Sequence, residues 1–317
     1  MMKKLTRAEA AAWLAQKDHF AIITHAGPDG DTLGSAAGLC LGLRQLGKTA
    51  HVLENSQIAD KYKHLVEGLT KADAQEGDTV ITVDVAAAKM LSDDSKHLAD
   101  RVDLRIDHHA TDTPFAAHEL VDSTSAACSE IVYDLLMLLG VQLDVAMANA
   151  LFTAVSTDTG CFRYANTTAR TFAVASACAA VSPDLFRITQ ALFDTITLGR
   201  LRLQNWVVEH MHMLCDGQIA VCGIPADLYR TLELQEEDMK NLSGFLRSIQ
   251  GVKIAATVKQ DEEGHTGISV RAVPGYDAAA ICVKFGGGGH KGAAGASMEN
   301  VTLEEAVQKL IAAMPEI

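Results

Sequence analysis

The sequence predicts an α/β fold: an N-terminal parallel sheet with helices on both faces, and a smaller C-terminal α/β domain across a cleft. Three observations carry this expectation. Apolar, β-rich runs alternate with helical patterns through the first half of the chain, the alternation that builds parallel sheets. The strongest of those runs each end in a residue type that binds metals. A second set of strand patterns then follows a long helical stretch that begins near residue 187.

The elements follow in chain order. "MMKKLTRAEAAAWLAQKD" opens the chain, and its short apolar stretch is interrupted by Arg7 and Glu9. It reads as an amphipathic helix rather than a signal peptide, with Thr6 as N-cap and Glu9 closing a capping box. "FAIITH" (20–25), "TVITVDVA" (79–86) and "VDLRIDHH" (102–109) are runs suited to buried parallel strands. Between the first two, "TLGSAAGLCLGLRQLGK" is helical and stops at Gly47. "SAACSEIVYDLLMLLG" and "DVAMANALFTAVSTDTG" are further helices. The stretch 187–213 reads as a helical connector, one long helix or two broken at Gly199. Beyond it, "GQIAVCGI" and "VKIAATVKQDEEGHTGISVRAV" are strands, the latter a hairpin turning at "DEEG". A helix at "DAAAICVKF", a glycine run and a last helix from Thr302 complete the chain. The expected division is therefore 1–186, a connector at 187–213, and 214–317.

Composition narrows the function. At 317 residues and 48% hydrophobic, the chain can bury a large core in roughly two domains. The seven cysteines are scattered, with no C-x-x-C pair, which fits buried thiols in a reducing cytoplasm better than a disulfide framework. No run reaches the 18 or so apolar residues of a membrane span. The net charge of −13 argues against a protein that coats long nucleic acid, whose recognition needs a basic footprint. It leaves room for a small anionic substrate in a local positive pocket.

The chemistry gathers at strand ends. His25 closes the first strand, Asp84 the second, and Asp107, His108 and His109 the third. Ligands of open α/β sheets bind at the carboxyl ends of strands, so three independent strand ends deliver these residues to one edge. Asp29 and Asp31, two apart in "HAGPDGDTLGS", repel when both are ionised, and read either as a polar turn in water or as a pair held by a cation. With Asp158 they form a set of hard oxygen donors plus imidazole, suited to Mn²⁺ or Mg²⁺ rather than structural zinc. Asp29, Asp31, Asp84 and Asp158 balance two divalent cations, and a pair of ions about 3.5–4 Å apart activates water for in-line displacement at phosphorus. In "FGGGGHKGAAG", glycines let a backbone approach an anion closely.

"HAGPDGD", "VDVA", "DHHA" and "VSTDTGCFRY" resemble, in order and spacing, the four motifs of the DHH phosphoesterases. "GGGGHKGAAG" (286–295) resembles the signature of their associated C-terminal domain. The resemblance runs over nearly the whole chain and implies a Rossmann-like catalytic domain. It implies two divalent ions, Mn²⁺ first, with Mg²⁺ or Co²⁺ as substitutes. His25, Asp29 and Asp84 would hold one ion; Asp31, Asp84, His108 and Asp158 would hold the other. Asp84 would bridge them beside the attacking water. Asp107 would orient a ligating histidine, and His109 would face the substrate phosphate to stabilise charge or donate a proton. Arg163 would contact a phosphate near the metals. Arg271 in "SVRA", a bidentate phosphate clamp, would hold the substrate's terminal phosphate together with Gly288, Gly289 and His290. Ser129 and Glu130 fall where the family uses residues for packing.

On this resemblance the expected activity is that of a bifunctional oligoribonuclease and 3′-phosphoadenosine 5′-phosphate (pAp) phosphatase. Such an enzyme trims short oligonucleotides such as pApA and takes neither long duplexes nor membranes as partners. A phosphodiesterase for cyclic or linear dinucleotides is the alternative. A manganese pyrophosphatase and a catalytically dead scaffold of the same fold rank lower. The family's habit of dimerising makes a homodimer a further expectation.

Overall fold

Seven short strands in the first half of the chain pair side by side and all run parallel. A computed structural model describes residues 2–110, 113–261 and 263–317, and it divides into two units, Met1–Thr195 and Ile196–Ile317. The strands of the first unit are β1 (Lys3–Lys4), β2 (Phe20–Ile23), β3 (Ala50–Leu53), β4 (Thr70–Lys71), β5 (Thr79–Val83), β6 (Leu104–Asp107) and β7 (His118–Val121). They are ordered β1-β7-β6-β5-β2-β3-β4. The helices are α1 (Arg7–Gln16), α2 (Gly30–Gln45), α3 (Asp60–Lys63), α4 (Cys128–Leu138), α5 (Val145–Asp158), α6 (Ala169–Ala179) and α7 (Leu185–Thr189).

Strand β2 is buried at all four positions, as a strand covered on both faces must be. Its two faces are covered unequally. Phe20 and Ile22 join a core with α1, α2, α4 and α5. Ala21 and Ile23 pack with Leu91, Leu98 and Val102, on and beside the 3₁₀ turns Ala88–Met90 and Lys96–Arg101. Thr6 caps α1 through the capping box with Glu9 that its sequence announces.

Helix α2 carries glycine at every fourth position, Gly30, Gly34, Gly38 and Gly42, which places all four on one face. A Cβ on Gly30 would lie 2.5 Å from Thr157 Oγ1, and one on Gly34 would lie 2.3 Å from the Ala150 carbonyl oxygen. One on Gly38 would meet Leu151, again from α5, and one on Gly42 would meet Leu136 of α4. The partners run backwards along α5, so α2 and α5 are antiparallel and in backbone contact. The start of α2, with Asp29 and Asp31, is thereby set beside the end of α5, with Asp158.

The second unit holds a mixed sheet of β8 (His212–Leu214), β9 (Ile219–Ile224), β10 (Ile254–Gln260), β11 (Thr266–Ala272), β12 (Gly288–His290) and β13 (Ala293–Met298). Its order is β12-β13-β11-β10-β9-β8. Helices α8 (Leu198–His210), α9 (Leu228–Thr231), α10 (Leu242–Arg247), α11 (Ala278–Val283) and α12 (Leu303–Ala312) accompany it. The β10–β11 hairpin closes at Asp261 and His265 as expected.

The connector differs from expectation. A π-helical turn, Gln190–Asp194, ends before Thr195, and Thr197 caps the next helix through Arg200 N–H. The break thus falls at residues 195–197, and Gly199 lies inside α8. Leu203 and Val207 of α8 are buried with Ala220 and Cys222 of β9, so that helix belongs to the second unit rather than to a free linker. Strand β3 also falls between the first two expected strands, because "AHVL" is too short to signal itself.

The glycine packing makes a prediction. Gly34→Ala gains helix propensity of at most about 1 kcal/mol, but its methyl must displace α5 backbone. Net destabilisation of about 1–3 kcal/mol is expected from overpacking, read as a lower midpoint of thermal unfolding. Gly267→Ala, where nothing lies within 4 Å of the added carbon, should melt as wild type does. Equal melting of the two variants would show that α2 and α5 are not in backbone contact.

Candidate metal centre

Neighbouring parallel strands end on the same edge of a sheet, and here β6, β5 and β2 are consecutive. The residues just past their ends are His108 and His109, Asp84, and His25. Asp84 adopts a left-handed backbone, φ +58°, which Asp tolerates better than most residues. Its N–H donates to the Ile106 carbonyl at 2.9 Å, so the turn out of β5 is tied to β6.

Two histidine-centred groups form around Asp84. In the first, His25 Nε2 lies 3.7 Å from Asp29 Oδ1 and 3.8 Å from Asp84 Oδ2. In the second, His108 Nε2 lies 3.3 Å from Asp84 Oδ1, 3.3 Å from Asp158 Oδ2 and 3.8 Å from Asp31 Oδ2. Asp84 therefore gives one carboxylate oxygen to each group. In both histidines Nδ1 faces a backbone carbonyl, Ala26 at 2.8 Å and Ser125 at 3.2 Å. A carbonyl only accepts, so Nδ1 carries the hydrogen and the neutral ring turns its Nε2 lone pair toward the carboxylates.

Without a positive charge between them such groups repel. Burial pushes the Asp31 carboxyl well above the usual range, helped by Asp84 and Asp158. Burial also raises Asp84 and takes Asp158 to about 6. Burial alone would lower both histidines, but the carboxylates prevail: Asp29 with the Ala26 carbonyl and Asp84 lifts His25 to about 9, and Asp84, Asp31 and Asp158 lift His108 to about 10. Asp29 moves the other way, since its contacts with His25 outweigh its burial. Asp84 Oδ1 is buried and accepts no hydrogen bond among the described residues. Oxygen and imidazole donors lie within 4.8 Å of one another in each of three overlapping sets, His25–Asp29–Asp84, Asp31–His108–Asp158 and Asp84–His108–His109. This donor set, with an orphaned buried carboxylate oxygen at its centre, fits hard divalent cations.

The surroundings hold the donors in place. Asp29 caps α2, accepting from the N–H groups of Asp31 and Thr32. Asp31 is fully buried; its Oδ2 accepts from Cys128 N–H at 2.6 Å and its Oδ1 from Ser129 N–H and Ser35 Oγ, both at 3.1 Å. Helix α4 begins after Ala127, which offers no side-chain cap, so Asp31 supplies from a distance the acceptor its free amides need. Those backbone amides and the Ser125 carbonyl were missed by sequence reasoning; the uncapped start of α4 was the available signal. Glu130 binds Thr171 Oγ1 and the Ala126 amide instead, a packing role.

Asp107 stands outside the three sets. Its Oδ1 accepts from His109 Nδ1 at 2.8 Å and from the His108 amide at 2.9 Å, while its Oδ2 binds buried Arg105. Burial would raise Asp107, but His109 and Arg105 hold it low, and Asp107 in turn raises His109. Arg163 donates to the Gly160 carbonyl at 2.6 Å and lies over Phe193, on a loop where Gly160, Cys161 and Phe162 are all left-handed.

In the second unit, Arg271 of β11 and His290 of β12 both register with Ala293 of β13. Residues in register share a sheet face, so two cationic residues flank one methyl. The glycine run is an edge strand rather than only a loop. A Cβ on Gly289 would lie 2.7 Å from the Ala293 carbonyl oxygen, and one on Gly287 would lie 2.2 Å from that of Gly295, whereas Gly288 has open space around it.

A pH dependence follows. A histidine raised in the folded state stabilises fully below its unfolded value near 6.5 and loses that contribution as pH rises through the folded value. Metal-free protein should therefore lose thermal stability between pH 6.5 and about 10, while excess Mn²⁺, which takes the neutral imidazoles, should remove most of that slope. Parallel slopes with chelator and with Mn²⁺ would contradict the assignment. At a free Mn²⁺ concentration 100 times its dissociation constant, each ion bound should add about 2.7 kcal/mol of stability at neutral pH.

Comparison with known proteins agrees with this architecture. The model of the DHH family, N-terminal domain, matches residues 19–155, and that of the DHHA1 domain matches residues 218–317. The chain is 31% identical to the bifunctional oligoribonuclease and PAP phosphatase NrnA of Thermus thermophilus, covering 93% of this chain and 89% of that protein. It is 24% identical to the cyclic-di-AMP phosphodiesterase PdeA of Listeria monocytogenes over 99% of this chain, which spans 51% of that protein. Among solved structures, an exopolyphosphatase-related protein from Bacteroides fragilis superposes with a TM-score of 0.86 at 24% identity, covering 97% of this chain and 95% of that one.

Proposed function

The chain belongs to the DHH family of phosphoesterases, and from that premise we propose that it hydrolyses short oligoribonucleotides to mononucleotides and removes the 3′-phosphate of pAp. The observation that carries this reading is Asp84, which turns one oxygen to the His25 group and the other to the His108 group. His25, Asp29 and Asp84 would hold one divalent ion; Asp31, Asp84, His108 and Asp158 would hold the other, with Mn²⁺ a suitable ion for so carboxylate-rich a set. When bound, such a pair lowers the pKa of water and neutralises phosphate charge.

The remaining work falls to the side chains. Asp107 holds His109 through Nδ1 and favours its cationic form. His109 then offers its other nitrogen to the reacting phosphate and gives a proton to the departing 3′-oxygen. Water oxygen bonds to phosphorus as the bond from phosphorus to the 3′-oxygen breaks. That single cleavage converts pApA to two mononucleotides and pAp to a mononucleotide and phosphate. Arg271 and His290, on either side of Ala293, clamp the terminal phosphate, and Arg163 is left to local structure by its bond to Gly160. Long duplexes are excluded from this reading by the charge of −13. A cytoplasmic setting accords with seven free thiols, and no described helix is long and apolar enough to cross a membrane. A homodimer accords with the exposed Leu138 and Val145 at neighbouring ends of α4 and α5.

A second reading, cyclic-dinucleotide hydrolysis, is favoured by the likeness to the Listeria phosphodiesterase. One competition separates the two. Protein with Mn²⁺ receives equimolar pApA, pAp, cyclic di-AMP and pyrophosphate, and the products are resolved by chromatography. Preferential loss of pApA and pAp is expected, with at least a thousandfold loss of turnover in Asp84→Ala. Preferential loss of the cyclic dinucleotide would move the substrate assignment, and full activity in the variant would remove the metal bridge.

A further inference from the structure

A cavity of about 250 Å³ opens beside His109 in the first unit. It lies at the edge of the sheet where β6, β7 and β1 end, next to the candidate metal centre. Leu5, Pro114 and Val121 give it apolar walls, and Lys4, Ser123 and Glu119 add polar groups to its lining. An apolar cavity of roughly 150 Å³ accommodates a benzene ring, so this one has room for a single base or ribose and not for a dinucleotide.

The cavity is built from the residues that position His109. Glu119 Oε2 accepts from Arg105, Arg105 binds Asp107, and Asp107 accepts from His109. The other oxygen of Glu119 accepts the amides of Phe115 and Ala116 at 3.1 and 3.2 Å, which fixes the segment that carries Pro114. The turn that follows β7 contributes Ser123 to the cavity and the Ser125 carbonyl to His108. Walls and candidate ligands are thus tied together by one hydrogen-bonded chain, the kind of support a specificity subsite needs.

We propose that this cavity receives the nucleoside attached to the reacting phosphate, the half of a dinucleotide that leaves as the second mononucleotide. The inference rests on the activity proposed above. Both substrates present a phosphate at His109, but they differ on its far side: pApA carries a second adenosine there, and pAp carries only a phosphate oxygen. The cavity therefore serves oligonucleotide cleavage and contributes nothing to pAp hydrolysis. Chain length beyond the phosphate is read here, by the mixed polar and apolar lining that one ring would meet.

Filling the cavity tests this. Ser123 and Val121 are exposed and both line it, so Ser123→Trp and Val121→Trp each occlude it. Each variant is first checked for wild-type gel-filtration volume and thermal midpoint, and either folded variant decides the question. The ratio of kcat/KM for pApA to that for pAp should fall at least tenfold, mainly through the KM of pApA. Equal loss of both activities, or an unchanged ratio, would overturn the proposal. Wild-type protein that turns over neither substrate would instead overturn the activity on which it rests.

Discussion

Carboxylate crowding around Asp84 is the constraint on which the rest of the first unit depends. Three parallel strands, the start of α2 and the end of α5 bring Asp29, Asp31, Asp84 and Asp158 against two histidines whose Nε2 atoms face inward. Asp31 and Asp84 are buried and His25, His108 and Asp158 half-buried, so water screens their mutual repulsion only in part, while Asp29 stands at the exposed rim. Such a cluster is unfavourable by itself and persists because the surrounding fold over-determines it. The groups that pay for it can be named: the amides of α4 on Asp31, the carbonyls on His25 and His108, and Arg105 beneath Asp107.

The same constraint explains the glycines of α2. A helix interior normally loses about 1 kcal/mol for each glycine relative to alanine. Four on one face make sense only if close approach to α5 and α4 is worth more. That approach brings Asp31 and Asp158 to the same nitrogen of His108. Packing and chemistry are therefore one arrangement: a residue in the α2–α5 contact such as Gly34, about one turn from Asp31, governs the spacing of groups at the sheet edge.

Much of this was legible from sequence. The apolar runs that end in His25, Asp84 and the 107–109 triplet announced both the strands and the edge at which they meet. The capping boxes at Thr6 and Thr302 marked helix starts in both units. What escaped has physical reasons. Strands β1 and β4 have two residues each, and β7, "HELV", carries a buried Glu119 that pairs with Arg105 instead of showing an apolar pattern. The short helices α9 and α10 have too few residues for a period to show. Donors and acceptors of the main chain, such as the Ser125 carbonyl and the Cys128 amide, have no letter of their own. The four-residue spacing of glycines was visible, but its meaning depends on which helix lies opposite.

The central claim is that Asp84 stands between two cations, each completed by its own histidine. Crystals of the protein grown with Mn²⁺, measured above and below the manganese absorption edge, test it most directly. The account predicts two anomalous peaks per chain, one among His25, Asp29 and Asp84 and one among Asp31, Asp84, His108 and Asp158. A single peak, or peaks that leave Asp84 without a cation on both of its oxygens, would contradict it.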